Sequence, residues 1–225
     1  MILFLFDIDG TLVTTDGAGR EAMACAAREL YGRDLFDGFS FAGGVDWGMT
    51  HEALERAGIR PSRRQIASFR TRYLTHLRRT MTPGKGKTMP GIASALPALA
   101  ARGRLGLLTG NWRQGAEMKL KAHGLWDHFH SRASAFGGDA PRRDELLPVA
   151  WKRARKLGEV GHIVVIGDTP ADVRCARVPL PDSGVKVTAV AVRTGFATED
   201  ELVRAKPDLL LPDLEHGLPA LVGRL

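Results

Sequence analysis

Asp7 and Asp9 stand one residue apart at the end of the apolar run MILFLF and lead into Gly10 and Thr11. Two carboxylates so close together at the end of a buried strand repel one another and resist desolvation, so a cation must relieve them. Gly10 and Thr11 let the chain turn sharply off the strand, which allows both carboxylates to face a common cleft. A second acidic motif, IGDTPADV (166–173), supplies Asp168 at the end of another apolar run and Asp172 one helical turn further on. One isolated Asp in such a place reads as a helix cap. Two motifs together read as a metal site. Hard oxygen donors from separate strand ends, few in number and with room left for phosphate and water, suit Mg²⁺ better than a closed structural site.

The elements that must position these residues are legible as alternating runs. ILFLF (2–6), LGLLT (105–109), HIVVIGD (162–168), VTAVAV (187–192) and DLLLPDL (208–214) are continuous and apolar. Segments of helical composition lie between most of them, including MKLKAHGL (118–125) and RDELLPVAWKRARKLG (143–158). Apolar strands alternating with amphipathic helices indicate an α/β protein, a Rossmann-like parallel sheet covered by helices on both faces. Ligands bind such sheets beyond the carboxyl ends of the strands, which is where Asp7, Asp9, Thr109 and Asp168 fall.

One stretch breaks the alternation. From Asp16 to Lys87 no strand-like run occurs, and GREAMACAARELYG (19–32), MTHEALERAG (49–58) and RRQIASFRTRYLTHLRR (63–79) carry a helical pattern. The stretch ends at TPGKGKTMPG (82–91), whose Gly and Pro content reads as a linker. The expected organisation is a core domain of residues 1–15 and 88–225 with a helical domain, 16–87, inserted after the first strand. The Pro-rich segment VPLPDSG (178–184) reads as a loop.

Composition sets the broad class. No apolar run approaches the roughly 20 residues of a membrane span, and the apolar N-terminus has no basic leader before Asp7. A cytoplasmic protein is expected, with no membrane partner. Its two cysteines, Cys25 and Cys175, are too few and too distant for a disulfide framework or a metal knuckle, and both read as buried apolar residues. The 32 basic and 25 acidic residues leave a net charge of +7, which favours anionic ligands. Without a zinc-finger, RNP or aromatic-plus-basic pattern, the expected anion is a small phosphorylated substrate and not nucleic acid.

Taken in order, DIDGT (7–11), LLTGN (107–111) and IGDTPAD (166–172), each after an apolar strand, resemble motifs one, two and four of the haloacid dehalogenase superfamily of phosphohydrolases. The resemblance spans essentially the whole chain, and the helical insert lies where that superfamily places its type 1 cap. It implies a role for each residue. Asp7 is the nucleophile that forms an aspartyl phosphate. Asp9 is the general acid and base. Mg²⁺ is held by Asp7, the main-chain carbonyl of Asp9 and Asp168, with Asp172 in support. Thr109 and the amides of Gly110 and Asn111 receive the phosphoryl oxygens.

The sequence departs from the superfamily at the third motif, which normally contributes a Lys. GGDAPRRDELLPVAWKRA (137–154) offers Arg142 and Arg143 instead, and Arg143, just before the helical DELL, is the preferred of the two. In the insert, GGVDWGMTHEAL (43–54) resembles the loop that phosphoglycolate phosphatase-like members present to the site, with Val45 where Thr is common. Asp46, Trp47 and His51 are therefore candidates for substrate selection. The expected activity is hydrolysis of a small phosphomonoester by a monomer or homodimer. A phosphomutase of the β-phosphoglucomutase kind and a non-catalytic phosphate-binding module share the core motifs and stand as alternatives. Asp9 argues against a dehalogenase, whose leaving group needs no proton.

Overall fold

A computed structural model describes residues 1–82, 84–181 and 184–225 of the chain. Pro83 of the expected linker and Asp182 and Ser183 of the expected loop lie outside the described residues. Strand β1 (Ile2–Phe6) is followed by the two-residue β2 (Val13–Thr14), the helices α1 (Ala18–Tyr31), α2 (Asp46–Arg56) and α3 (Arg63–Thr80), and β3 (Lys87–Thr88). The chain continues through α4 (Ile92–Ala100), β4 (Gly103–Leu107), α5 (Arg113–Ala122), α6 (Leu146–Ala154), β5 (His162–Gly167) and α7 (Pro170–Cys175). It closes with β6 (Lys186–Val192), α8 (Glu199–Ala205), β7 (Leu209–Leu211) and α9 (Leu214–Val222).

The main sheet has the order β4-β1-β5-β6-β7 and every pairing in it is parallel. Residues alternate between its two faces, as the period of a strand requires. Phe4, Phe6, Val164, Ile166, Val190 and Val192 pack beneath α4, α5 and α9, whereas Leu3, Leu5, Ile163, Val165, Ala189 and Ala191 pack beneath α6, α7 and α8. With both faces covered, the central strands are apolar along most of their length, which is why they read as continuous runs.

The inserted helices leave and re-enter through β2 and β3, whose antiparallel pairing sets Val13 against Thr88 and Thr14 against Lys87. Two residues per strand carry no periodicity, so this pair is invisible to pattern reading. The insert builds its own core from Ala22, Met23, Phe36, Leu54, Phe69, Tyr73 and Leu77. Its helices start and stop on local signals: Ser62 and Gln65 form a reciprocal capping box on α3, and Gly32, at φ 74, ends α1. Trp112, at the start of α5, is buried in the insert's core with its ring centroid 5.4 Å from that of Tyr73, so core and insert share one apolar seam. Cys175 is buried as expected, but Cys25 is only half-buried on α1. Among the described residues, no helix is long and apolar enough to cross a membrane.

Candidate active site

Strand β1 lies between β4 and β5, so the ends of three adjacent strands bring Asp7, Thr109 and Asp168 to one edge of the sheet. Gly10, at φ 86, turns the chain off β1. A Cβ on Gly10 would lie 2.5 Å from Asp168 Oδ2, and one on Gly195 would lie 1.8 Å from the same atom, so both glycines are required for the close approach around that carboxylate.

Asp7, Asp168 and Asp172 are all buried, and one oxygen from each falls within 4.8 Å of the others. Thr11 Oγ1 donates to Asp168 Oδ1 over 3.0 Å and the Phe196 amide donates to its Oδ2 over 2.9 Å. Asp172 also caps α7, accepting from the amide and the hydroxyl of Thr169. These donors leave the cluster short of positive charge. Burial pushes the Asp168 carboxyl up to about 8, with Asp172 and Asp7 adding to the rise. Burial likewise lifts Asp7 to about 6 against the pull of Arg143. Three buried carboxylates that offer only oxygen donors, with burial raising the proton affinity of Asp7 and Asp168, fit a hard divalent cation.

Arg143 is buried beside this cluster. Its Nη2 lies 3.0 Å from Asp7 Oδ1, contacts Asp172 Oδ1 and donates to the Leu108 carbonyl over 2.7 Å. Burial alone would lower its proton affinity, but Asp172 and Asp7 override this and raise it. Its Nε, also buried, has no partner among the described residues and remains a spare donor. Arg142, by contrast, is 70% exposed and pairs with Asp144 and Glu145.

Asp9 turns the other way. Its carboxylate accepts from Asn111 Nδ2 over 2.8 Å and from Lys119 Nζ over 2.8 and 2.6 Å. Its side chain takes no part in the oxygen cluster, which leaves only its main-chain carbonyl for a metal. Lys119 Nζ also donates to Asn111 Oδ1 over 2.7 Å, and Asn111 Nδ2 donates to Thr109 Oγ1 over 2.9 Å. Thr109 Oγ1 accepts the Asn111 amide as well, and neither bond uses the hydroxyl proton of Thr109. The Gly110 carbonyl has a different task from the one its neighbours suggest, because it accepts the amide of Asp46 from the insert over 2.8 Å.

Of the three candidates in the insert loop, Asp46 lines the site. Its carboxylate accepts the Trp112 amide over 2.8 Å, so a pair of hydrogen bonds seats the start of α2 on the start of α5. Burial pushes Asp46 up to about 7 despite Lys119 and the Trp112 amide. Trp47 and His51, their rings stacked at 5.2 Å, face a neighbouring groove that reaches Pro141 and Arg143. Between core and insert lies a cavity of about 320 Å³ lined by Asp9, Asn111, Lys119 and Asp46 with Arg20, Tyr73, Phe41 and Met49.

Lys119 is the functional candidate that motif reading overlooks. Its signal is its place on α5, where Gly115, Ala116, Lys119 and Leu120 form the buried face. A lysine within an apolar stripe is buried only when paired.

This arrangement defines a class: a parallel α/β core with a helical insert over an acidic, cation-ready site at the strand ends. Residues 4–177 match the haloacid dehalogenase-like hydrolases, and the chain belongs to that family. It is 30% identical over 215 residues to a phosphoglycolate phosphatase of Synechococcus elongatus, covering 94% of this chain and 92% of that one. Solved structures share the fold. A hydrolase from Pseudomonas syringae has a TM-score of 0.71 at 20% identity, covering 99% of both chains. A haloacid dehalogenase-like family protein from Streptococcus pneumoniae has a TM-score of 0.64 at 19% identity, covering 98% of this chain and 97% of that one.

Proposed function

We propose that the protein is a Mg²⁺-dependent phosphomonoesterase of the phosphoglycolate phosphatase kind, acting on a small phosphorylated metabolite in the cytoplasm as a monomer or homodimer. The observation that carries this reading is the division of labour between Asp7 and Asp9. One is nested with Arg143 and two further carboxylates; the other faces the cavity under the insert. A nucleophile and a proton donor need such different surroundings.

Asp7 attacks phosphorus with a carboxylate oxygen, the bond from phosphorus to the ester oxygen breaks, and Asp9, entering the step as the carboxylic acid, gives its proton to that departing oxygen and is left as the carboxylate. In the second displacement Asp9 takes a proton from water as the water oxygen attacks phosphorus and the bond to Asp7 breaks. Arg143 holds Asp7 in place through Nη2, and its spare Nε is a donor suited to a phosphoryl oxygen. The free hydroxyl proton of Thr109 suits a second. Asp7, Asp168 and Asp172 with the Asp9 carbonyl would hold Mg²⁺, which when bound offsets the negative charge of carboxylates and phosphate. Residues 16–87 act as the cap: seated through Asp46, Gly110 and Trp112, they exclude water and shape the leaving-group pocket.

The test is phosphate release from a panel of phosphomonoesters, with Mg²⁺ and with EDTA, for the wild type and Asp7→Asn. Metal-dependent release that the variant lacks is expected. A wild type that releases phosphate from no ester would overturn the reading in favour of a mutase or a phosphate-binding module.

A further inference from the structure

Lys119 has no step in the scheme above, yet it is buried at the wall of the cavity where that scheme puts the leaving group. Among the described residues lining this cavity only Arg20 and Lys119 carry positive charge. Arg20 is already committed, donating to Asp34 over 2.9 Å with its guanidinium 5.5 Å from the Phe41 ring centroid. Lys119 Nζ faces both oxygens of Asp9, at 2.8 and 2.6 Å, so Asp9 receives more of the ammonium than one hydrogen bond requires. The first turn of α1 covers it closely, since a Cβ on Gly19 would lie 3.2 Å from Nζ.

These contacts specify what can enter. The ester oxygen of a bound substrate must lie within hydrogen-bond reach of Asp9, which puts it a few ångströms from Nζ. An anionic group one carbon away from that oxygen then falls within reach of the ammonium. Asp9 faces the cavity, so an anion entering it without a cation would be repelled. The ammonium is shared with Asp9, so it can take up a singly charged group lying within a few ångströms of the ester oxygen. A second phosphate, doubly charged, would exceed what Lys119 can balance.

We infer that Lys119 is the specificity-determining residue, selecting phosphate esters of small hydroxy acids by taking their carboxylate onto Nζ in place of one of its two contacts to Asp9. In the unliganded protein the Asp9 carboxylate occupies the place of the substrate's own. The assignment rests on the phosphomonoesterase reading, and it adds the residue that selects the leaving group.

The experiment compares 2-phosphoglycolate with 2-hydroxyethyl phosphate, its uncharged counterpart, at saturating Mg²⁺ for the wild type, Lys119→Met and Lys119→Arg, with p-nitrophenyl phosphate as reference. A hydrogen bond to a charged group predicts a wild-type preference in kcat/KM of about 10- to 100-fold for the carboxylate ester. Lys119→Met should erase that preference mainly through KM, and Lys119→Arg should restore part of it. Equal fractional losses on both esters would overturn the assignment, because a residue that only orients Asp9 cannot distinguish them. Should Lys119→Met fail to fold, inhibition of wild-type p-nitrophenyl phosphate hydrolysis decides: glycolate should compete and ethylene glycol should not, and equal potency overturns the assignment. A wild type active on both esters without preference sinks Lys119 alone. One inert toward all three sinks the phosphomonoesterase reading and the assignment with it.

Discussion

Asp46→Asn tests the seat of the cap through its pH dependence. Burial holds the Asp46 carboxyl at about 7 in the folded protein, against 3.8 for an unperturbed group. Between those values the folded chain keeps a proton that the unfolded chain has released. The unfolded state therefore binds fewer protons, and stability falls as pH rises through this window. Below the lower value both states are protonated and Asp46 costs nothing. Above the upper value the full cost is present, about 4 kcal/mol at about 1.4 kcal/mol per unit. Asparagine stays neutral throughout and its Oδ1 still accepts the Trp112 amide, so the substitution removes the charge and retains the hydrogen bond. Urea unfolding of both proteins in EDTA from pH 4 to pH 8 reads the effect as a difference, which removes most of the contribution of other titrating groups. The variant should match the wild type near pH 4 and gain on it up to about 4 kcal/mol by pH 8. Parallel stability curves across the range would show that Asp46 is not held neutral by burial, and the reasoning would fail.

Four other outcomes follow from the site. Asp7→Asn should abolish phosphate release while leaving the circular dichroism spectrum close to the parent's; activity within tenfold of the parent would remove Asp7 from the nucleophile's role. Asp9→Asn should lower kcat on alkyl phosphates more than on p-nitrophenyl phosphate, whose leaving group needs little protonation, and equal losses would count against an acid role. Arg143→Ala leaves buried carboxylates without their cation and should cost about 3–5 kcal/mol of stability along with activity, whereas Arg142→Ala, losing exposed pairs only, should cost under about 1 kcal/mol and little turnover; denaturant melts and kinetics on both variants check the ranking. Gly110→Ala would set a Cβ 1.8 Å from the Gly44 carbonyl oxygen across the seam between cap and core, so KM should rise and proteolysis of the 16–87 segment should quicken, and unchanged values for both would argue that the seam is slack.

The sheet was legible because its chemistry is redundant. Strands buried on both faces favour apolar residues along their length, and ILFLF and the IVVIG of HIVVIG carry that requirement without interruption. The helices of the insert were legible for the complementary reason, a 3.6-residue period bounded by caps such as Ser62 and Gly32. The strand pair β2 and β3 was not, since Val13–Thr14 and Lys87–Thr88 are too short for any period and form only because the entry and exit of the insert meet. The acidic motifs were legible from local spacing alone. Lys119 was not, because a lysine in a helix looks solvated until the fold places its stripe against Asp9. Asp46 stood level with Trp47 and His51 in sequence, and only tertiary packing separates the one that enters the cavity from the two that leave it.

The site sets five carboxylates, Asp7, Asp9, Asp46, Asp168 and Asp172, around two cations that pair with them, Arg143 and Lys119, while Arg20 on the cavity wall pairs with Asp34. A protein that only had to bind an anion would gain nothing from that excess, which opposes phosphate and raises the proton affinity of Asp7, Asp46 and Asp168 by burial. A protein that must hold a divalent cation and hand protons to an ester oxygen needs most of it. The two cations are matched to their places. Arg143 touches Asp7, Asp172 and the Leu108 carbonyl together, a task for a planar group with several fixed donors. Lys119 presents a compact charge on a flexible stem to Asp9 and Asn111 beside an open cavity. A rigid fork suits a partner that must stay still through the reaction. A movable ammonium suits one that changes partner when a substrate arrives.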